Sequence, residues 1–162
     1  MLNKEIKSLL KILFILYLIG LILLLDFKIT EPQMVIKHLG SGISWFQGEL
    51  LLQPFRIIKK YADLAHSWDD WFVRNLVGNI CLFMPFGFIL PMIKKKNGFL
   101  RIFFWGVLFA FLLETSQFVF GIGKADIDDL FLYAVGIALG YLVYLLVFKL
   151  LLKKVKILEE QN

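Results

Sequence analysis

Apolar and polar positions alternate along this chain in long blocks, with four apolar runs flanked by lysine. The first covers about residues 9–25 and follows Lys4, Lys7 and Lys11. With Lys11 reaching past Leu9 and Leu10, it is about 17 residues long, the short end of a membrane span. No small-residue cleavage pattern follows it, so it reads as an uncleaved helix. Further spans are predicted over about residues 76–93, 99–120 and 130–152. Pro85 lies inside the second, where it removes a helical hydrogen bond and introduces a kink. Residues 26–75 form a long mixed loop, broken early by Gly40, Ser41, Gly42 and Ser44. After Pro54, which is suited to a first helical position, Phe55, Ile58, Tyr61, Ala62, Ala65, Trp68 and Phe72 recur at three- and four-residue spacing. That periodicity predicts an amphipathic helix. It lies either on the membrane surface, with Trp68 and Trp71 in the interfacial belt, or against the membrane helices.

Composition narrows the class. Of 162 residues, 59% are hydrophobic and 19% charged, and mean hydropathy is +0.76. These values exclude an ordinary soluble domain. The expected fold is all-α and polytopic, a single domain over residues 1–162 with four transmembrane helices. The formal charge of +5 comes from basic residues beside apolar runs, where they set topology and attract anionic lipid rather than nucleic acid. Lysine-rich flanks at the N-terminus, at Lys94–Lys96 and after Lys149 place both termini in the cytoplasm. The long first loop and the turn at residues 121–129 then face outward. Cys81, the single cysteine, reads as a small buried or lipid-facing side chain.

Topology brings polar residues to one level. Glu114 precedes Phe120 by six residues, about 9 Å below the outer end of the third helix. An ionisable residue at that depth is costly and points to function. Gln117 shares its face. Arg74, Asn75 and Asn79 begin the second helix, and Asp126, Asp128 and Asp129 begin the fourth. Plainer roles exist for each. Asn79 could make an interhelical hydrogen bond, Asp126 or Asp128 could cap the fourth helix, and Glu114 could be a knot bonded to Gln117 or Asn79. Gly136 and Gly140 give the spacing that lets membrane helices approach closely. His38 and His66 lack metal-ligand spacing.

Taken in order, Gln53-Pro54-Phe55-Arg56, Arg74-Asn75-Leu76-Val77-Gly78-Asn79-Ile80, Phe83-Met84-Pro85-Phe86-Gly87-Phe88, Glu114-Thr115-Ser116-Gln117 and Asp126-Ile127-Asp128-Asp129, followed by Gly136 and Gly140-Tyr141, resemble the VanZ-like family over about residues 10–150. The resemblance implies a small multi-pass protein of the bacterial cytoplasmic membrane, linked to low-level teicoplanin and lipoglycopeptide resistance. Two positions depart from the family pattern. Lys124 stands where an arginine usually precedes the aspartates, and Tyr133 where an asparagine usually follows them.

Three functions remain open on the sequence. An enzyme at the outer leaflet would use Glu114, Asp128 and Asp129 catalytically, with Asn79, Gln117, Asp126, Arg74 and Lys124 binding an amphipathic or lipid-linked substrate. Asp126, Asp128 and Asp129 would hold a divalent cation such as magnesium. A non-catalytic binder would engage a lipoglycopeptide or lipid-linked cell-wall precursor and alter its access. A transporter is the thinnest reading, since four spans with one intramembrane acid give little pathway.

Overall fold

The computed structural model describes residues 4–25, 49–51, 70–94, 98–120 and 124–160, with side chains described for 4–25, 76–94, 98–119 and 126–148. Four helices carry the fold: α1 (Lys4–Leu25), α2 (Asp70–Ile93), α3 (Phe99–Phe120) and α4 (Ile127–Glu160). Each contains an apolar stretch long enough to cross a bilayer, so the chain is a multi-pass membrane protein. Their outward faces carry large apolar side chains. On α4 these are Phe131, Val135, Leu139, Leu142 and Leu146, exposed at three- and four-residue intervals as a lipid-facing stripe.

Close contacts fix the helix directions. Tyr17 and Phe14 of α1 meet Leu82 and Phe86 of α2, so those helices are antiparallel. Phe99 and Glu114 of α3 meet Tyr141 and Asp126 of the α4 region, again antiparallel. Gly136 and Gly140 of α4 lie on the backbone at Ile80 and Met84 of α2, in the same chain order. Helices α2 and α4 therefore run parallel. The start of α1, the end of α2, the start of α3 and the end of α4 share one end of the bundle, and the polar candidates share the other.

The α2–α4 seam is the most extensive helix pairing, and its glycines explain why. A Cβ at Gly136 or Gly140 would strike the carbonyl of Ile80 or Met84, and one at Gly87 would strike that of Ile137. Without side chains there, the two backbones touch and Cα–H groups face carbonyl oxygens. Above and below, Phe83, Phe86, Ile102, Ala110, Leu113, Tyr133 and Ile137 fill the buried core, with Phe83 stacked on Tyr133 at 4.2 Å between ring centroids.

Helix α2 continues through Pro85 and Pro91. Pro85 has no N–H to give the Cys81 carbonyl, and one residue along the ladder is held from outside. The Tyr17 hydroxyl donates to the Leu82 carbonyl at 2.6 Å, and the backbone of Phe86 also hydrogen-bonds that hydroxyl. A neighbouring helix thus supports the proline-weakened turn, as membrane helices require. Tyr17→Phe should lower stability by roughly 1 kcal/mol, the usual scale of an interhelical bond in membranes. Thermal unfolding in neutral detergent checks this, and an unchanged midpoint would contradict it. Cys81 is exposed on the same helix.

Four boundaries differ from expectation, the first being α1, which begins at Lys4 rather than about residue 9. Helix α2 begins at Asp70 and α4 at Ile127, each earlier than its apolar run, and α4 continues to Glu160. The long loop also contributes a strand, β1 (Glu49–Leu51), which pairs in parallel with β2 (Lys124–Asp126). Leu51 stands opposite Asp126, so the loop is tied to the turn between α3 and α4. The amphipathic helix predicted from Pro54 to Phe72 lies outside the described residues up to position 69, Trp68 included, and its last residues belong to α2. Trp71 lies within α2.

Candidate functional site

The entry to α4 organises this end of the bundle. Asp126 is the last residue of β2, and its Oδ1 accepts the backbone N–H of Asp128 at 3.0 Å. Asp126 is therefore the N-cap of α4. Asp128 and Asp129 occupy the first turn, where negative charge complements the helix dipole. This is why the helix starts inside the acidic run rather than after it.

Capping leaves the Asp126 amide to point elsewhere. It donates to Glu114 Oε2 at 3.1 Å, and Tyr133, one turn beyond Asp129, also hydrogen-bonds the Glu114 side chain. Glu114, Asp126, Asp128 and Tyr133 are all buried. Helix α2 joins through Asn79, whose Nδ2 donates to Asp129 Oδ1 at 2.7 Å. Three helices and the β2 strand are thus linked by polar contacts at one level. The carboxylates of Asp129 and Asp126 lie within electrostatic reach of Glu114.

Gln117 follows Glu114 by one turn on the buried stripe of α3, which includes Gly106, Ala110 and Leu113 and faces α4 at Ile137 and Tyr133. It is only 7% exposed. The knot expected between Glu114 and Gln117 does not form, because the carboxyl is taken by the Asp126 amide and Tyr133. Thr115 and Ser116 turn their hydroxyls back to the carbonyls of Phe111 and Leu113, each at 2.7 Å.

Arg74 lies in the first turns of α2 and Lys124 in β2, but their side chains fall outside the described set. Asp126, Asp128 and Asp129 are the residues expected to hold a divalent cation. Among the described residues no group of three or more His, Cys, Asp or Glu side chains has the arrangement to hold an ion. Asp126 spends an oxygen on the cap and Asp129 spends one on Asn79.

Tyr133 is the member sequence reasoning did not place in the site. It follows Asp129 by four residues and Asp126 by seven, so all three share a helix face. That spacing was the available signal. The tyrosine supplies both a hydroxyl for Glu114 and a ring for Phe83.

The VanZ/LLP1 family model matches residues 14–149. Protein VanZ of Enterococcus faecium is 31% identical over 129 residues, which cover 80% of this chain and 69% of that protein. No solved structure matches the chain. The family match runs from within α1 to within α4 and includes every residue of the polar cluster just described. The chain belongs to the VanZ-like family.

Proposed function

We propose that this protein binds an amphipathic or lipid-linked molecule at the extracytoplasmic face of the bacterial cytoplasmic membrane, and thereby lowers susceptibility to teicoplanin-type and lipoglycopeptide antibiotics. Orientation follows from charge. Lys4, Lys7, Lys11, Lys94 and Arg101 belong to the half of the bundle opposite the polar cluster, and basic flanks stay in the cytoplasm. The cluster then faces outward.

One observation favours binding over catalysis. The cluster's carboxyls are engaged in holding α2, α3 and α4 together through Asn79–Asp129, Glu114–Asp126 and the Asp126 cap. A rigid polar end results, with Gln117 beside it on a buried face. Such an end suits recognition of a polar group whose apolar remainder stays in the bilayer.

Expression in a susceptible host tests the reading. The native chain should raise the inhibitory concentration of teicoplanin above that of an empty vector. Gln117→Leu, at matched membrane abundance, should return it to the vector level, and full resistance in that variant would contradict the reading. Mass spectrometry should recover antibiotic and lipid-linked cell-wall precursors chemically unchanged. A modified species formed only with the native chain would replace binding with catalysis.

A further inference from the structure

A groove of about 250 Å³ lies between α2 and α4, lined by Met84, Pro85, Phe88, Gly140 and Val143. It belongs to the lipid side of the bundle. Phe83, Phe86 and Leu90 mark the buried face of α2, whereas Met84 and Phe88 continue the helical stripe of Val77 and Cys81, both exposed. On α4, Val143 borders the exposed Leu139, Leu142 and Leu146. Gly140 is buried beneath this rim, and a Cβ there would strike the Met84 carbonyl. The close helix seam therefore leaves a notch that no side chain at position 140 can fill. Met84 and Phe88 are the ninth and thirteenth residues of the 18-residue apolar stretch Leu76–Ile93, so the notch sits near the middle of the bilayer.

We infer that this groove seats the acyl chain of a membrane phospholipid. Only apolar side chains line it, so water would lack the two to four polar partners it needs there. The space exceeds the roughly 150 Å³ apolar cavity that suffices for a benzene molecule. Depth fits as well, because half of a hydrocarbon core about 30 Å thick is the reach of one chain from either leaflet. A chain lying between Met84, Phe88 and Val143 meets carbon atoms on both flanks and at the floor. Against a flat helix face it would meet fewer, and each added contact contributes a little dispersion attraction. A second copy of the protein is the weaker occupant. Lipid tails are as apolar as leucine, so covering the notch gives another helix no hydrophobic gain, and lipid already surrounds this face as solvent. The site is separate from the polar end and does not depend on the binding role proposed for it.

Photolabelling tests this with the full-length chain in phosphatidylglycerol vesicles that contain a trace of the same lipid carrying a diazirine near the end of one acyl chain. Peptide mass spectrometry locates the adducts. Labelling per residue at Met84, Phe88 and Val143 should exceed that at Leu139 and Leu142 about fivefold, the preference that a handful of added carbon–carbon contacts provides. Leu139 and Leu142 lie at similar depth and are exposed, so lipid that merely surrounds the protein would label them at least as strongly. Labelling that follows exposure would overturn the seat. Groove residues left unlabelled beside a labelled Leu142 would also overturn it, since that is the pattern expected when a second copy covers them. Val143→Trp places a ring across the notch and should bring labelling at Met84 and Phe88 down to the level of Leu142, with Leu142 itself unchanged. A preference that persists in the folded variant would contradict the assignment, and the comparison within the native chain decides it even where the variant does not fold.

Discussion

Leucine in place of Gly140 should destabilise the protein by about 3 kcal/mol, the upper part of the range for overpacking. At this chain length that corresponds to a Tm about 10 °C lower. A Cβ at this position would meet the carbonyl oxygen, carbonyl carbon and Cα of Met84. Those are backbone atoms and cannot swing aside as a side chain could. Helices α2 and α4 would have to separate, which would also open the contacts of Gly136 with Ile80 and of Gly87 with Ile137. Gly78, on α2, provides the contrast, since nothing lies within 4 Å of a Cβ added there. Gly78→Ala should be neutral or stabilise by about 0.5–1 kcal/mol, because alanine loses less backbone freedom in a helix. Unfolding in detergent reads both variants. A Gly140→Leu protein melting with the native one would mean that the seam is not packed as described.

Glu114→Leu should cost about 3 kcal/mol. The substitution leaves the Asp126 amide and the Tyr133 hydroxyl facing an apolar side chain, and an unsatisfied buried donor costs about 1–3 kcal/mol. Glu114→Gln retains an acceptor oxygen of the same reach and should cost only about 1 kcal/mol. Tyr133→Phe should resemble the milder variant, since it keeps the ring stacked on Phe83 and loses only the hydroxyl. The order of the three Tm values carries the test. Leucine no worse than glutamine would show that the carboxyl does not serve these donors.

The helices were legible in the sequence because membrane spans need length and apolarity, and four runs have both. The close approach at Gly136 and Gly140 was legible for a similar reason: their spacing repeats one helix turn. Asp126 as a helix cap could also be read, because carboxylates before an apolar run have few better local uses. Helix ends were harder. The run from Asp128 looks like turn until the dipole of α4 is counted in its favour. Beyond Lys149, lysine, leucine and glutamate sustain a helix to Glu160 without needing a bilayer. The pairing of β1 with β2 left no trace, since three residues are too few for an alternating pattern and the partner lies far along the chain. The partners of the aspartates were not legible. Counting carboxylates ignores that a cap and an interhelical bond turn Asp126 and Asp129 toward different partners. Tyr133 was hidden because a tyrosine in an apolar run reads first as core, which it also is.

The central claim is that α2 and the entry to α4 meet at Asn79 and Asp129, at the end of the bundle remote from Lys94. Cysteines at these two positions, in a Cys81→Ser background with a protease site placed between α2 and α3, test it in native membranes. A short bis-methanethiosulfonate reagent should keep the cleaved halves joined for the Asn79→Cys/Asp129→Cys pair. It should fail to join them when the second cysteine is at Leu100, which belongs to the opposite end of the bundle and is 80% exposed. Halves that separate in the first case, or stay joined only in the second, would contradict the arrangement from which the site and its ligand are argued.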